Sequence, residues 1–166
     1  MVTAIYPGSF DPLTYGHIDI ALRASQLFEK VYLGVVYTKP SKSFWFNTEE
    51  RMELCKESLS HIPNVEVVSY SGLTVDVAED LGAQVMVRGL RMGSDFEYEF
   101  ELALNNQQLN SAIDTIYLIS RLDHIYIKSS LLREIVEGEG RINHLVPENV
   151  EVAMWARAKS LALSSS

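Results

Sequence analysis

Short apolar, β-branched runs alternate along the chain with longer stretches of helical periodicity. The runs Val2–Tyr6, Val31–Tyr37, Val65–Tyr70, Gln84–Arg88 and Thr115–Ile119 read as strands. The second and fourth are nearly continuous in apolar residues, as expected of parallel strands covered on both faces. The segments His17–Glu29, Thr48–Ser60, Thr74–Leu81, Asp95–Asn110, Ser130–Val136 and Glu148–Lys159 read as helices. Asn47 with Glu50 three residues on makes a capping box, and Ser94 with Glu97 repeats it. Gly82 suits the left-handed position that follows a helix, and Pro147 suits a first helical residue. Strand–helix alternation predicts an α/β fold, an open parallel five-stranded sheet with right-handed crossovers and helices on both faces. A single domain over residues 1–160 is expected, with 161–166 as a frayed tail.

In such a sheet, ligands bind beyond the carboxyl ends of the strands, at the switch point. Those ends lead into distinctive residues. Tyr6 leads into Pro7-Gly8-Ser9-Phe10-Asp11-Pro12, and Tyr37 into Lys39 and Lys42. Tyr70 precedes Ser71-Gly72-Leu73, and the fourth strand ends in Arg88-Gly89-Leu90-Arg91. The fifth leads into Ser120-Arg121 and on to Lys128-Ser129-Ser130. Cations and small residues on one rim predict an anionic ligand, with phosphate the obvious candidate.

Composition sharpens this. The 166 residues carry 14 Lys plus Arg and 22 Asp plus Glu, a formal charge of 14 − 22 = −8. An acidic surface repels a nucleic-acid polymer but leaves room for a small anion in a local basic pocket. Cys55 is the only cysteine, so no intrachain disulfide can form, and its place in a helix favours a small buried side chain over a nucleophile. No apolar run approaches the roughly 20 residues needed to cross a bilayer. The N-terminus opens directly into a strand, without the basic segment and longer apolar core of a signal peptide. A cytoplasmic protein is expected, with no membrane and no nucleic acid among its partners.

Two motifs carry chemistry. The stretch from Tyr6 to His17 runs from a strand through a Gly/Pro-rich loop into a helix. Gly8 and Gly16 let backbone pass close to a ligand. His17 falls at a helix start, where free N–H groups and the helix dipole favour a phosphate that an imidazole could also contact. Alone, His17 would read as a helix-terminal or surface histidine. The second motif is Arg88-Gly89-Leu90-Arg91 followed by Asp95-Phe96-Glu97-Tyr98-Glu99. Two guanidinium groups flanking a glycine after a strand make a phosphate clamp. The competing reading is a pair of solvated arginines paired with the acidic helix start, with Glu99 an ordinary solvated residue. His61, His124 and His144 are isolated in sequence, and no Cys/His metal cluster is visible.

Thr14-Tyr15-Gly16-His17 resembles the Thr/His-x-Gly-His mark of a nucleotidyltransferase superfamily, and neither a Walker A nor a dinucleotide-binding fingerprint is present. Along nearly its whole length the chain resembles bacterial phosphopantetheine adenylyltransferases. The matching stretches are the Tyr-Pro-Gly-Ser-Phe-Asp-Pro loop, Pro40-Ser41-Lys42, Phe46 to Arg51, Arg88 to Arg91, Asp95 to Glu99 and Pro147-Glu148-Asn149-Val150. The resemblance implies a Rossmann-like domain transferring AMP from ATP to 4′-phosphopantetheine, giving dephospho-coenzyme A and pyrophosphate. It implies that ATP is held by Ser9, Phe10, His17, Gly89, Leu90, Arg91 and Glu99. The segment His124, Ile125, Tyr126, Ile127, Lys128, Ser129, Ser130 is implied in the same role, and Ser9, Lys42, Thr74 and Arg88 in holding the acceptor. One departure stands out: the family's usual Ile-Ser-Ser-Ser run reads Ile127-Lys128-Ser129-Ser130. A homohexamer and coenzyme A as a competing regulator are implied as well.

On this reading the acceptor phosphate attacks the α-phosphorus in line, without a covalent intermediate. His17, Lys42 and Arg91 are the catalytic candidates. His17 donates to the α-phosphate, Lys42 and Arg88 hold the acceptor phosphate, and Arg91 with Ser129 holds the β- and γ-phosphates. Mg²⁺ rides with the triphosphate and keeps most of its waters. Two rivals remain: a related nucleotidyltransferase with another phosphate acceptor or a cytidylyl donor, and a silent nucleotide-binding regulator.

Overall fold

The computed structural model describes residues 1–37 and 43–166, Ser94 by its backbone alone. Five strands form one sheet: β1 Thr3–Gly8, β2 Lys30–Val36, β3 Val65–Tyr70, β4 Val85–Leu90 and β5 Asp114–Ile119. The helices are α1 Tyr15–Leu27, α2 Thr48–Leu59, α3 Thr74–Asp80, α4 Gly93–Leu109, α5 Ser129–Glu137 and α6 Glu148–Ser164. Every strand pair is parallel and the order is β3-β2-β1-β4-β5. The chain winds outward from β1 to β3, returns across to β4 and winds out the other way. The switch point therefore lies between β1 and β4.

Side chains alternate along each strand and build two cores. Ala4, Tyr6, Val31, Leu33, Val35, Val85 and Val87 belong to the larger, which includes residues of α1, α2, α5 and α6. Ile5 and Met86 turn the other way and meet Val75 and Ala78 of α3. The second face is thinner, and Tyr32 of β2 is only half-buried there. Cys55 is fully buried in the larger core, where desolvation pushes its thiol up to about 12 and keeps it un-ionised.

The Asn47–Glu50 capping box forms as expected, with Glu50 N–H donating to Asn47 Oδ1 and Asn47 N–H to Glu50 Oε2, both at 2.8 Å. Gly82 takes φ 66° in the left-handed region. Three boundaries differ from the sequence pattern. The Ser94 capping box is not the start of α4, which begins at Gly93 with Met92 as its cap. Pro147 is the residue before α6 rather than its first, extended at ψ 159°. α6 runs past the expected Lys159 as far as Ser164. Its hydroxyls at Ser164 and Ser165 donate back to the Ser160 and Leu161 carbonyls, at 3.1 and 3.0 Å.

β1 also runs further than its apolar pattern, through Pro7 to Gly8. Its register with β2 continues to Gly8 opposite Val35, whereas its pairing with β4 is confined to Ala4 with Val85 and Ile5 with Met86. Beyond Ile5 the two central strands part. The Pro7 carbonyl faces this gap, where Arg88 Nη1 reaches it at 3.3 Å. Pro7's missing N–H therefore also faces the gap, where no ladder partner is lost.

Candidate active site

The parting of β1 and β4 opens a crevice of about 480 Å³ at the switch point. Its walls are the loop from Tyr6 to Phe10, the start of α1, the end of β4, the first turns of α4 and the segment entering α5.

The loop after β1 enters α1 through Thr14. Thr14 Oγ1 accepts from His17 N–H at 3.3 Å, and Thr14 N–H donates to His17 Nδ1 at 3.0 Å. This is a capping box with imidazole in the place usually taken by Glu or Gln. An Nδ1 that accepts must be unprotonated, so the proton of neutral His17 sits on Nε2, the nitrogen remote from the cap. Burial at the crevice floor, reinforced by the nearby charge of Arg91, lowers the imidazole pKa from 6.5 to about 4. At neutral pH, His17 is thus a neutral donor through Nε2–H rather than a cation. Its ring meets Phe10 edge-on at 5.0 Å. Gly16 carries no side chain at a point where a Cβ would sit 3.7 Å from His124 Cβ, so the helix start and the 124–130 segment approach closely.

Across the crevice, Arg88 and Arg91 leave β4. Arg88 Nε donates to Glu99 Oε2 at 2.8 Å and Nη2 to Glu99 Oε1, a two-pronged pair. Glu99 is only 7% exposed, so its reading as a solvated helix residue is overturned. Burial works against the Arg88 charge, but the Glu99 carboxylate more than offsets it and the pKa is raised. Of the five donors on the Arg88 guanidinium, three go to Glu99 and Pro7, which leaves two for a ligand. Arg91 Nε donates to Asp95 Oδ2 at 3.1 Å, the pairing with the acidic helix start that the sequence offered as an alternative. Arg91 Nη1 donates to the Ile127 carbonyl at 2.8 Å and so fixes the segment leading into α5. The rim is therefore less positive than a count of arginines suggests, because each arrives with its carboxylate.

The start of α5 supplies the remaining wall. Ser129 and Ser130 are its first residues, where backbone N–H groups have no partner within the helix. Ser129 Oγ donates to the Pro12 carbonyl at 3.0 Å, so its hydroxyl proton is already engaged. Lys128 holds the cap position, exposed at the crevice edge.

Most of the expected site residues meet here. Phe10, His17, Arg88, Gly89, Arg91 and Glu99 line the crevice, as do His124, Ile127, Lys128, Ser129 and Ser130. Ser9, Leu90, Ile125 and Tyr126 are chain neighbours of these residues but not part of its lining. Thr74 stands apart at the start of α3, its Oγ1 3.0 Å from the Tyr70 hydroxyl, on the β3 side of the sheet. Lys42 and Lys39 lie outside the described residues. Ile20 lines the crevice from a helix position with nothing in its local pattern to mark it, and Tyr98, within the Asp95 to Glu99 stretch, lines it without having been given a role.

Sequence reasoning also gave no role to Asp11 or Arg133. Asp11 is 3% exposed and accepts from the backbone N–H groups of Trp45 and Phe46 at 2.9 and 3.0 Å. Arg133 of α5 pairs with the same carboxylate. One side chain thereby ties together the loop after β1, the segment entering α2 and the helix carrying Ser129. Its signal was its place in the Gly-Ser-Phe-Asp-Pro loop.

A parallel sheet opened at its switch point, with a neutral histidine at a helix start facing paired arginines, defines a nucleotidyltransferase. The comparisons agree. Residues 5–135 match the model of the cytidylyltransferase-like family. The phosphopantetheine adenylyltransferase of Prochlorococcus marinus (strain MIT 9301) is 50% identical over 147 residues, covering 89% of this chain and 93% of its own. That of Caldanaerobacter subterraneus subsp. tengcongensis is 45% identical over 159 residues, covering 96% and 99%. A solved structure from Vibrio parahaemolyticus, provisionally assigned as a nicotinate-nucleotide adenylyltransferase, superposes with TM-score 0.71 over 93% of this chain and 99% of its own. At 18% identity it speaks for the fold alone. The chain belongs to the phosphopantetheine adenylyltransferase family.

Proposed function

We propose that this protein transfers the adenylyl group of ATP to 4′-phosphopantetheine, releasing pyrophosphate and forming dephospho-coenzyme A. The observation that carries the reading is the neutral His17, whose Nδ1 is occupied by Thr14 N–H and whose Nε2–H is left for the crevice.

A phosphate dianion is already a competent nucleophile, so the reaction needs two anions positioned in line and a donor where charge develops. The acceptor phosphate oxygen attacks the α-phosphorus, the bond to the bridging oxygen breaks, and pyrophosphate leaves with that oxygen. His17 Nε2–H donates to the α-phosphate oxygens as they gain charge. Arg88, with two donors spare and its orientation fixed by Glu99, holds the acceptor phosphate together with Lys42. Arg91 and the first N–H groups of α5 hold the pyrophosphate end, with Lys128 adding charge at that edge. Ser9 and Phe10 contribute through their backbone. Thr74, on the β3 side, suits the pantetheine arm rather than the reacting phosphates.

ATP enters as its Mg²⁺ complex, which neutralises charge on the triphosphate. The two crevice carboxylates, Glu99 and Asp95, are each paired with an arginine, so the ion belongs to the substrate more than to the protein. Coenzyme A carries both an adenylyl group and a pantetheine arm and is proposed to compete for the same crevice. A cytoplasmic homohexamer is also proposed. The exposed Phe96, Phe100 and Leu104 of α4, beside Ile116 and Ile119 of edge strand β5, supply an apolar face of the kind self-association covers. Among the described residues, no helix is long and apolar enough to cross a membrane.

The test is a pyrophosphate-release assay with ATP or CTP against 4′-phosphopantetheine and nicotinamide mononucleotide. Release confined to ATP with 4′-phosphopantetheine is expected. Faster release with another pair would replace the substrate assignment, and ATP binding without release for any acceptor would favour a silent regulator.

A further inference from the structure

Arg51, on the first turn of α2, has 0% exposure, unlike the other buried charged side chains among the described residues. Its guanidinium grips backbone from three segments. Nη1 donates to the Ser9 carbonyl at 2.7 Å and to the Val36 carbonyl at 2.8 Å, bridging the ends of β1 and β2. Nε donates to the Phe46 carbonyl at 3.1 Å, and Nη2 to Thr48 Oγ1 at 3.2 Å. The group also lies over the Phe44 ring, 4.3 Å from its centre. A fork with five donors can make this set, whereas a lysine ammonium cannot.

The bond to Ser9 fixes the next peptide. In a trans peptide the carbonyl and the following N–H point opposite ways, and Ser9–Phe10 is trans. With the Ser9 carbonyl turned toward Arg51, Phe10 N–H is turned away from it, and Phe10 itself lines the crevice. Phe10 holds φ 47°, a left-handed value that a bulky side chain keeps only under constraint from its surroundings. No hydrogen-bond acceptor for Phe10 N–H occurs among the described residues. The Phe10 and His17 rings are edge to face at 5.0 Å, so the two residues are neighbours in the crevice wall.

We infer that Arg51 is a positioning residue for adenylyl transfer: by holding the Ser9 carbonyl it aims Phe10 N–H at the α-phosphate, beside His17 Nε2–H. This rests on the adenylyl-transfer reading of the crevice. The donor matters most when charge builds on the α-phosphate, so Arg51 acts on kcat more than on the KM for ATP.

The experiment compares R51K with a variant in which the Ser9–Phe10 amide is an ester, made by incorporating phenyllactic acid at position 10. The ester removes the N–H and weakens the carbonyl that Arg51 holds, while every side chain stays in place. Thermal unfolding checks that each is folded. For each, kcat is expected to fall by roughly 10²-fold, with the KM for ATP changed less than about threefold. The combined variant is expected to lose little more than either alone, because both act on one donor. In the wild type, the Phe10 amide resonance should shift when a non-hydrolysable α,β-methylene ATP binds, and in R51K that shift should shrink while the His17 ring response persists. A folded R51K that keeps its kcat, an ester variant with normal turnover, or fully multiplicative losses would each overturn the inference. Should R51K not fold, the ester variant and the wild-type Phe10 shift still decide. A wild-type protein that releases no pyrophosphate would sink the reading of the crevice instead, which separates the two failures.

Discussion

The two walls of the crevice are built in opposite ways. On the α1 side, the groups that define His17 are three residues apart: Thr14 caps the helix and in doing so sets which imidazole nitrogen carries the proton. On the β4 side, Arg88 meets Glu99 across eleven residues, and Arg91 meets Ile127 across thirty-six. The contacts that orient His17 on the first wall lie within one helix cap. The second exists only when β4, α4 and the segment before α5 are docked. A helix cap can thus set which nitrogen of a functional imidazole carries the proton with backbone alone, while burial and Arg91 lower its pKa and the arginines are held by pairing over distance. The two walls should therefore fail differently when broken.

The largest effect is expected on the local wall. His17→Ala removes one donor to the transition state and should lower kcat by about 10²–10³, equivalent to about 2.7–4 kcal/mol, with the KM for ATP changed far less. Steady-state kinetics of pyrophosphate release measure this, and normal turnover would remove His17 from the mechanism. On the distant wall, Glu99→Ala leaves a largely buried guanidinium without its carboxylate. A stability loss of about 1.5–3 kcal/mol is expected by urea unfolding. The KM for the acceptor should rise several-fold while the KM for ATP moves less. If ATP affinity falls instead, Glu99 orients Arg88 toward the nucleotide, and the division of labour between the walls is wrong.

That contrast also explains what could be read from the sequence. The five strands and six helices were legible because apolar alternation and helical spacing are local signals, and β3 falls at the expected residues Val65–Tyr70. The crevice was legible because topology obliges the ends of β1 and β4 to flank the switch point. The pairing of the arginines was not decided. Arg88 and Arg91 looked alike as loop cations, and only the docking of α4 buries Glu99 against one and sets Asp95 against the other. Asp11 and Arg51 escaped assignment for a related reason. Asp11 meets the backbone of Trp45 and Phe46, and Arg51 the Ser9 carbonyl, across more than thirty residues, and such pairings leave no mark in composition or spacing. The length of α6 was missed because its last turns bury little and so lack an apolar stripe.

A smaller effect concerns protons. The folded pKa of His17 is about 4, below its ordinary 6.5, so between these values the unfolded chain takes up a proton that the folded chain refuses. Stability from this group is complete above pH 6.5 and falls as pH drops toward 4, with a slope of at most about 1.4 kcal/mol per pH unit. Nitrogen NMR of the imidazole should find an Nε2–H tautomer that persists from pH 8 to about 5, whereas a midpoint near 6.5 would refute the buried cap. Any limb in the pH–rate profile near 6 should then follow the acceptor's second phosphate ionisation, which has a pKa of about 6, and not the enzyme.

The smallest change isolates the cap itself. Thr14→Ala removes the side-chain acceptor for His17 N–H and should cost about 1 kcal/mol in unfolding free energy, the usual value for a lost cap. It also removes the hydroxyl 3.2 Å from His17 Nδ1 but leaves Thr14's backbone N–H, which donates to that nitrogen at 3.0 Å. The tautomer should therefore survive, and kcat should fall much less than in His17→Ala. Thr14→Ser, which restores the hydroxyl, should recover the stability. If Thr14→Ala instead brings the His17 midpoint back toward 6.5, the hydroxyl rather than the backbone fixes the proton. The wall nearest in sequence would then depend on a side-chain contact after all, as the far wall does.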